Sequence, residues 1–167
     1  VFDAVKLKWM NAMHLRAHSN SEIFALIKPF LDQAGLVLPN DPVWQEKSAG
    51  VFKTSMETLA DAVELYRPLS DAEFKLLPEA DEVYAWESTK PVLQAWRDLV
   101  AAVPEEYMSE ETFVKIQDQV KEKAGVKGKF LFMSILVAMI CNAHVSELKI
   151  LVPIISKSTV LRRVDIA

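Results

Sequence analysis

Apolar residues recur three and four positions apart through most of the chain, and no segment alternates with a two-residue period for long, so the pattern predicts helices throughout. The first predicted helix, residues 6–17, reads KLKWMNAMHLRA. It is apolar over much of its surface and is expected to have neighbours on more than one side. Ser19-Asn20-Ser21-Glu22 has the spacing of a capping box, after which Ile23, Leu26, Ile27, Phe30 and Leu31 keep helical spacing up to Gly35. Pro29 is expected to kink that helix. Asp41-Pro42 reads as a cap followed by a first-turn proline. Phe52, Met56, Leu59, Val63 and Tyr66 then predict one long helix ending at Pro68.

Ser70-Asp71-Ala72-Glu73 repeats the capping-box spacing before a short helix that is expected to end near Pro78. The turn-rich stretch 78–91 is the candidate boundary, giving subdomains at 1–85 and 86–167. Beyond it, Val92, Trp96, Leu99 and Val103 predict one amphipathic helix, and Phe113, Ile116 and Val120 another after Ser109. Gly125 and Gly128 bracket the turn into a central run, Phe130–Cys141, in which only Ser134 is polar. Twelve residues are too few to cross a bilayer, which takes about 20, so the run predicts a core helix or a helix with an interaction face. As a helix it places Phe132, Leu136, Met139 and Ile140 on one side. Ser146 and Ser158 can cap two last helices, through Ile155 and Val164. The fold class is all-α, without repeats or low-complexity tracts.

Composition narrows the class without changing it. At 167 residues, 51% of them hydrophobic and 25% charged, the chain can bury a sizeable core. A single cysteine, Cys141, excludes an internal disulfide framework, and the N-terminus has no signal-peptide pattern, so a cytoplasmic setting is expected. The net charge of −4 is uneven, with 8 basic and 14 acidic residues in 1–87 against 11 and 9 in 88–167. A polyanion would therefore prefer the second half, although dedicated nucleic-acid domains are usually far more basic.

Candidate chemistry is sparse. His14 and His18 lie four apart, as two metal ligands could, but no third ligand accompanies them. His144 is close to Asn142 and Cys141 in sequence, yet adjacent positions in one turn rarely give a Cys/His pair its geometry. Ser156-Lys157-Ser158 superficially matches the end of the ATP-binding signature of class I synthetases, but the partner His-x-Gly-His element is missing and helix capping explains it better. Neither a phosphate-cradling glycine loop nor a cofactor motif is present, and the expectation is a non-enzyme. Trp9, Trp44, Trp86 and Trp96 fall at helical spacing from other apolar residues, which is the pattern of core tryptophans. Lys121, Lys123, Lys127 and Lys129 suit a helix C-terminal end. Lys127, Lys129, Arg162 and Arg163 are the candidate phosphate contacts.

Several segments in order carry a family resemblance: Lys6-Leu7-Lys8-Trp9-Met10-Asn11, ETLADAVELYRP at 57–68, GVKGK at 125–129, the apolar run leading to Glu147-Leu148, and Lys-Ser-x-Val-Leu-Arg-Arg at 157–163. Together they resemble the C-terminal anticodon-binding region of bacterial glutamyl-tRNA synthetases, without the catalytic part. The resemblance implies an α-helical cage of two subdomains that binds a tRNA anticodon and catalyses nothing. It also implies a Pro-Leu-Arg-x-Ala-Leu-Thr-Gly frame in which the arginine reads a base, since a guanidinium can bond a base edge bidentately. Here the frame reads Ser134-Ile135-Leu136-Val137-Ala138-Met139-Ile140-Cys141, and the following turn is Asn142-Ala143-His144-Val145. Leu136 cannot donate a hydrogen bond.

Arginine to Leu136, threonine to Ile140 and glycine to Val145 each add apolar surface. A clustered apolar shift suggests a new interface, natural or engineered, on the old scaffold: Phe132, Leu136, Met139, Ile140, Asn142, His144 and Val145 facing a protein partner, a second copy of the chain or an apolar ligand. The other reading is a tRNA-binding fragment whose binding is weak and whose base recognition is relaxed.

Overall fold

The computed structural model describes residues 3–71, 74, 78–140 and 148–167. It is all-α, with no strand among the described residues, and divides into two compact units at residues 1–73 and 74–167. The division falls before the predicted boundary at 85/86. The reason is packing: helix α5, Pro78–Tyr84, lies in the predicted boundary stretch but packs on elements of the second unit.

In the first unit, α1 spans Ala4–Ala17, α2 Asn20–Gln33, α3 Pro42–Phe52 and α4 Asp61–Tyr66. The capping box at α2 forms as expected: Ser19 Oγ accepts from the Glu22 amide, and a Glu22 carboxylate oxygen accepts from the Ser19 amide. Those bonds hold the Glu22 carboxyl below its ordinary pKa. Helix α2 continues through Pro29, and Asp41 caps α3 with Pro42 in its first turn. The core forms around Tyr66, whose ring is met by Phe24, Trp44 and Phe52 at centroid distances of 6.2, 6.3 and 4.8 Å. Its hydroxyl is 2.8 Å from that of buried Ser48. At Gly50 of α3 a Cβ would stand 2.7 Å from Nδ2 of Asn20 on α2, so a side chain there would displace the Asn20 amide.

The long helix predicted from Phe52 to Pro68 is instead broken. Helix α3 ends at Phe52, a 3-10 turn covers Lys53–Ser55, and Met56 is extended at φ −89°. Asp61, the first residue of α4, fixes the bend before it: one carboxylate oxygen accepts from the upstream amides of Glu57 and Thr58 at 2.9 and 2.8 Å, drawing them out of a continuous helical ladder. From α1, Asn11 and Arg16 donate to the carbonyls of Glu57 and Thr54, satisfying the interrupted backbone. Helix α1 itself buries only Ala12 and Leu15, and Val5, Leu7, Trp9, Met10 and Met13 are exposed. The expectation of neighbours on several sides is thus not met among the described residues of this unit.

The second unit comprises α5, α6 at Thr89–Ala101, α7 at Glu110–Ala124, α8 at Lys129–Ile140, α9 at Leu148–Leu151 and α10 at Lys157–Ile166. Helix α8 is its axis and packs against α5, α6 and α10. Around it close Val92, Trp96 and Val100 of α6, and Val160 of α10, all fully buried. Ser109 caps α7 and Gly125 ends it in the left-handed region at φ 66°, a conformation that costs a residue with a Cβ. The last helix is capped by Ser156, not Ser158, because Ser158 Oγ donates instead to the Glu106 carboxylate. Ala72 and Glu73 of the second capping-box spacing, and Ser146, lie outside the described residues.

Candidate nucleic-acid interface

Helix α8 does not present the expected apolar face. Leu136 is 1% exposed, Met139 0% and Ile140 4%, so all three belong to the core, and Phe132 sits at its rim at 36%. Every residue from Ser134 to Ile140 is buried. The absence of a polar stripe in the run is what a helix enclosed on all sides requires, and with about 1.5–3 kcal/mol gained per large apolar side chain buried, the packed arrangement wins over an exposed one. Asn142, His144 and Val145 lie outside the described residues.

Ser134, standing where the resemblance expects proline, ties this helix to its neighbours. Its hydroxyl is 2.6 Å from the carbonyl oxygen of Phe130 and 3.0 Å from Thr89 Oγ1, which in turn is 2.5 Å from the carbonyl oxygen of Val83. Two hydroxyls carry two protons for these three contacts, so one contact is always without a proton and the set behaves as one network.

Of the four candidate phosphate contacts, Arg163 is corrected. It is 1% exposed, its Nη1 donates to the Met139 carbonyl at 2.5 Å, and its guanidinium lies 4.6 Å from the Phe74 ring centroid. Its sequence context, an Arg-Arg pair near the end of a helix, gave no sign that one arginine would point inward. Arg162 is exposed, with Nη2 3.4 Å from Thr159 Oγ1. Lys127 and Lys129 are exposed.

Beside these lysines the structure brings together residues the sequence had kept apart. Trp86 and Phe130 meet edge to face, centroids 4.9 Å apart at 71°. Lys129 Nζ lies 5.8 Å from the Trp86 ring centroid, within range of a cation–π contact. An open groove of about 560 Å³ runs along this pair, lined by Trp86, Glu87, Ser88, Gly125, Val126, Lys127 and Phe130. Trp86 is half-buried and packs against the core cluster of Ala80, Val83 and Val137, so it stands at the edge of the core, while Phe130 is 51% exposed. Trp9 is likewise exposed, whereas Trp44 and Trp96 are core as expected. A tryptophan flanked by Glu87 and Ser88 just before a helix was the only available signal.

Among the described residues no helix is long and apolar enough to cross a membrane, and no group of three or more His, Cys, Asp or Glu could hold a metal. Comparison with known proteins gives the family. The sequence pattern of a family described as the anticodon binding domain matches residues 12–167. The glutamate–tRNA ligase of Bdellovibrio bacteriovorus is 54% identical over 165 residues, covering 99% of this chain and 34% of that protein. The glutamate–tRNA ligase of Exiguobacterium sibiricum is 33% identical over 170 residues, covering 99% of this chain and 35% of its own length. The chain therefore spans about a third of the length of these relatives. A crystal structure of a glutamate tRNA ligase from Elizabethkingia meningosepticum in complex with its amino acid superposes with a TM-score of 0.82 at 17% identity, over 98% of this chain and 32% of that one. At that identity the superposition speaks for the fold, and the match across 12–167 places the chain in the anticodon-binding-domain family.

Proposed function

We propose that this chain is the anticodon-binding region of a glutamate–tRNA ligase and binds the anticodon arm of glutamate tRNA without carrying out a chemical step of its own. The observation that carries the reading is the 54% identity to a glutamate–tRNA ligase along 165 of the 167 residues. Binding by this chain leans on phosphate contacts from exposed cations such as Lys127, Lys129 and Arg162. Base reading does not pass through residue 136, because Leu136 is enclosed in the core and has no polar atom in its side chain.

Filter binding of glutamate tRNA and an anticodon-swapped tRNA at two salt concentrations tests this. The expected result is binding that weakens steeply with salt and discriminates little between anticodons. A chain that retains neither tRNA even at low salt overturns the proposal.

A protein-binding role retains one supporting observation, the exposed Val5, Leu7, Trp9, Met10 and Met13 of α1. The apolar surface that favours a protein neighbour thus lies on the first helix and not at Leu136, Met139 or Ile140 of α8. Sedimentation of the chain against a Leu7→Glu, Trp9→Glu variant separates the cases: association that the double change abolishes favours this role, and a monomer in both removes it.

A further inference from the structure

We infer that the groove between Trp86 and Phe130 is a stacking site for one unpaired RNA base, with Lys127 and Lys129 meeting the phosphates on either side. The inference rests on the tRNA-binding reading and adds to it the place where a loop nucleotide is held. Three observations converge on it. Phe130 is a large apolar ring left half in solvent at the first turn of α8, although the seven residues from Ser134 onward in the same helix are buried. Trp86 meets it edge to face, so two aromatic rings line one open groove of the kind on which a flat base can stack. Lys127 lines the groove and Lys129 Nζ stands 5.8 Å from the Trp86 ring centroid, while Glu87 is the single carboxylate among the lining residues, so the rim favours an anion.

The surrounding backbone fits a flat occupant. Gly125 and Gly128 hold the connection from α7 to α8 in left-handed turns, and a Cβ at either would meet no heavy atom within 4 Å, so no side chain crowds this connection. Lys129 Nζ lies 5.8 Å from the Trp86 ring centroid, and Phe130, 51% exposed beside half-buried Trp86, is the ring assigned as the stacking surface. Stacking of this kind tolerates any base, because every base has a π-face. It therefore supplies a preference for unpaired RNA without anticodon discrimination, consistent with the apolar Leu136. An apolar peptide would gain from the rings as well, but it would leave Lys127 and Lys129 without counter-charges.

The test measures fluorescence anisotropy of a labelled 17-nucleotide anticodon stem–loop of glutamate tRNA and of a fully paired hairpin of equal length, each titrated with the wild-type chain, Phe130→Ala, Phe130→Tyr and Lys127→Gln/Lys129→Gln. Thermal melting checks each variant, and Phe130, being half exposed, tolerates both substitutions. Phe130→Ala is expected to weaken stem–loop binding about tenfold and to leave hairpin binding unchanged, Phe130→Tyr to stay within about twofold of wild type. The double lysine variant is expected to lower the slope of log affinity against log salt by about 1.4 for two phosphates. Wild-type binding of the stem–loop that Phe130→Ala leaves intact overturns the groove assignment and leaves the tRNA reading standing. No binding of the stem–loop by the wild type overturns both. Displacement of RNA by a neutral aromatic-rich peptide, with loss of peptide binding in Phe130→Ala and no effect of the lysines, reassigns the groove to a protein.

Discussion

Arg163 of α10 donates from Nη1 to the carbonyl oxygen of Met139, 2.5 Å away in the last turn of α8. The last four carbonyls of a helix lack partners within it and carry the negative end of its dipole, so a buried guanidinium there satisfies a hydrogen bond and a field at once. Replacing Arg163 with Met keeps the length and removes the donor. The expected outcome is a loss of about 1–3 kcal/mol in chemical denaturation, the cost of an orphaned buried carbonyl, with the salt dependence of RNA binding unchanged. A changed salt slope at unchanged stability would return Arg163 to the surface.

Leu136→Arg with Ile140→Thr is expected to unfold the second unit. An arginine at the Leu136 position would be a buried charge without a partner, costing on the order of 3–5 kcal/mol, and a threonine at position 140 would bury a hydroxyl for about 1–3 kcal/mol more. Loss of the cooperative melt in circular dichroism checks it. A well-folded double variant would mean these positions face solvent.

Tyr66 supplies a prediction at high pH. Burial pushes its phenol well above the ordinary value of 10.0, and the Ser48 hydrogen bond offsets only part of that. The folded state therefore keeps the proton while the unfolded state releases it above about pH 10, so stability is full below that point and falls as pH rises. In an alkaline titration followed at the tyrosinate absorbance, the last tyrosine should ionise only together with unfolding. Ionisation of all tyrosines in the folded chain would contradict the burial.

Asp61 acts at the other end of the scale. Burial raises its carboxyl, but the amides of Thr58 and Glu57 outweigh that and hold it below the ordinary 3.8. A carboxyl depressed in the folded state stabilises above its unfolded pKa and loses that contribution as pH falls through the folded value. The Asp61 carboxyl carbon should thus titrate below pH 3.8 by NMR, and Asp61→Asn should flatten the acid limb of the stability curve. A normal titration midpoint would show that the two amide bonds do not persist in solution.

Helix type and most boundaries were legible because caps and spacing are local: Ser19 with Glu22, Asp41 with Pro42, and Ser109 before α7 each form as read. The break between α3 and α4 was not, since Met56, Leu59 and Val63 hold helical spacing whether or not Asp61 draws the amides of Glu57 and Thr58 away from a continuous ladder. The candidate site was least legible. An apolar run reads the same whether a helix is enclosed or exposed on one side, so Leu136 and Ile140 could be placed only by knowing that α5, α6 and α10 surround them. Trp86 and Phe130 lie 44 positions apart, and nothing local in either segment announces that they meet.

The enclosure of α8 sets an order of opening. Its amides lie behind three other helices, so solvent deuterium can reach those from Ser134 to Ile140 only when the second unit opens as a whole, and their exchange rates report its global free energy. Helix α1, which buries two side chains along fourteen residues, has no such lock and exchanges by fraying. Phe130 stands on the first turn of the slow helix. A nucleotide resting there would bind the folded second unit and not the unfolded one, so it would slow the globally controlled exchange of α8 as well as that of the Gly125–Gly128 turn.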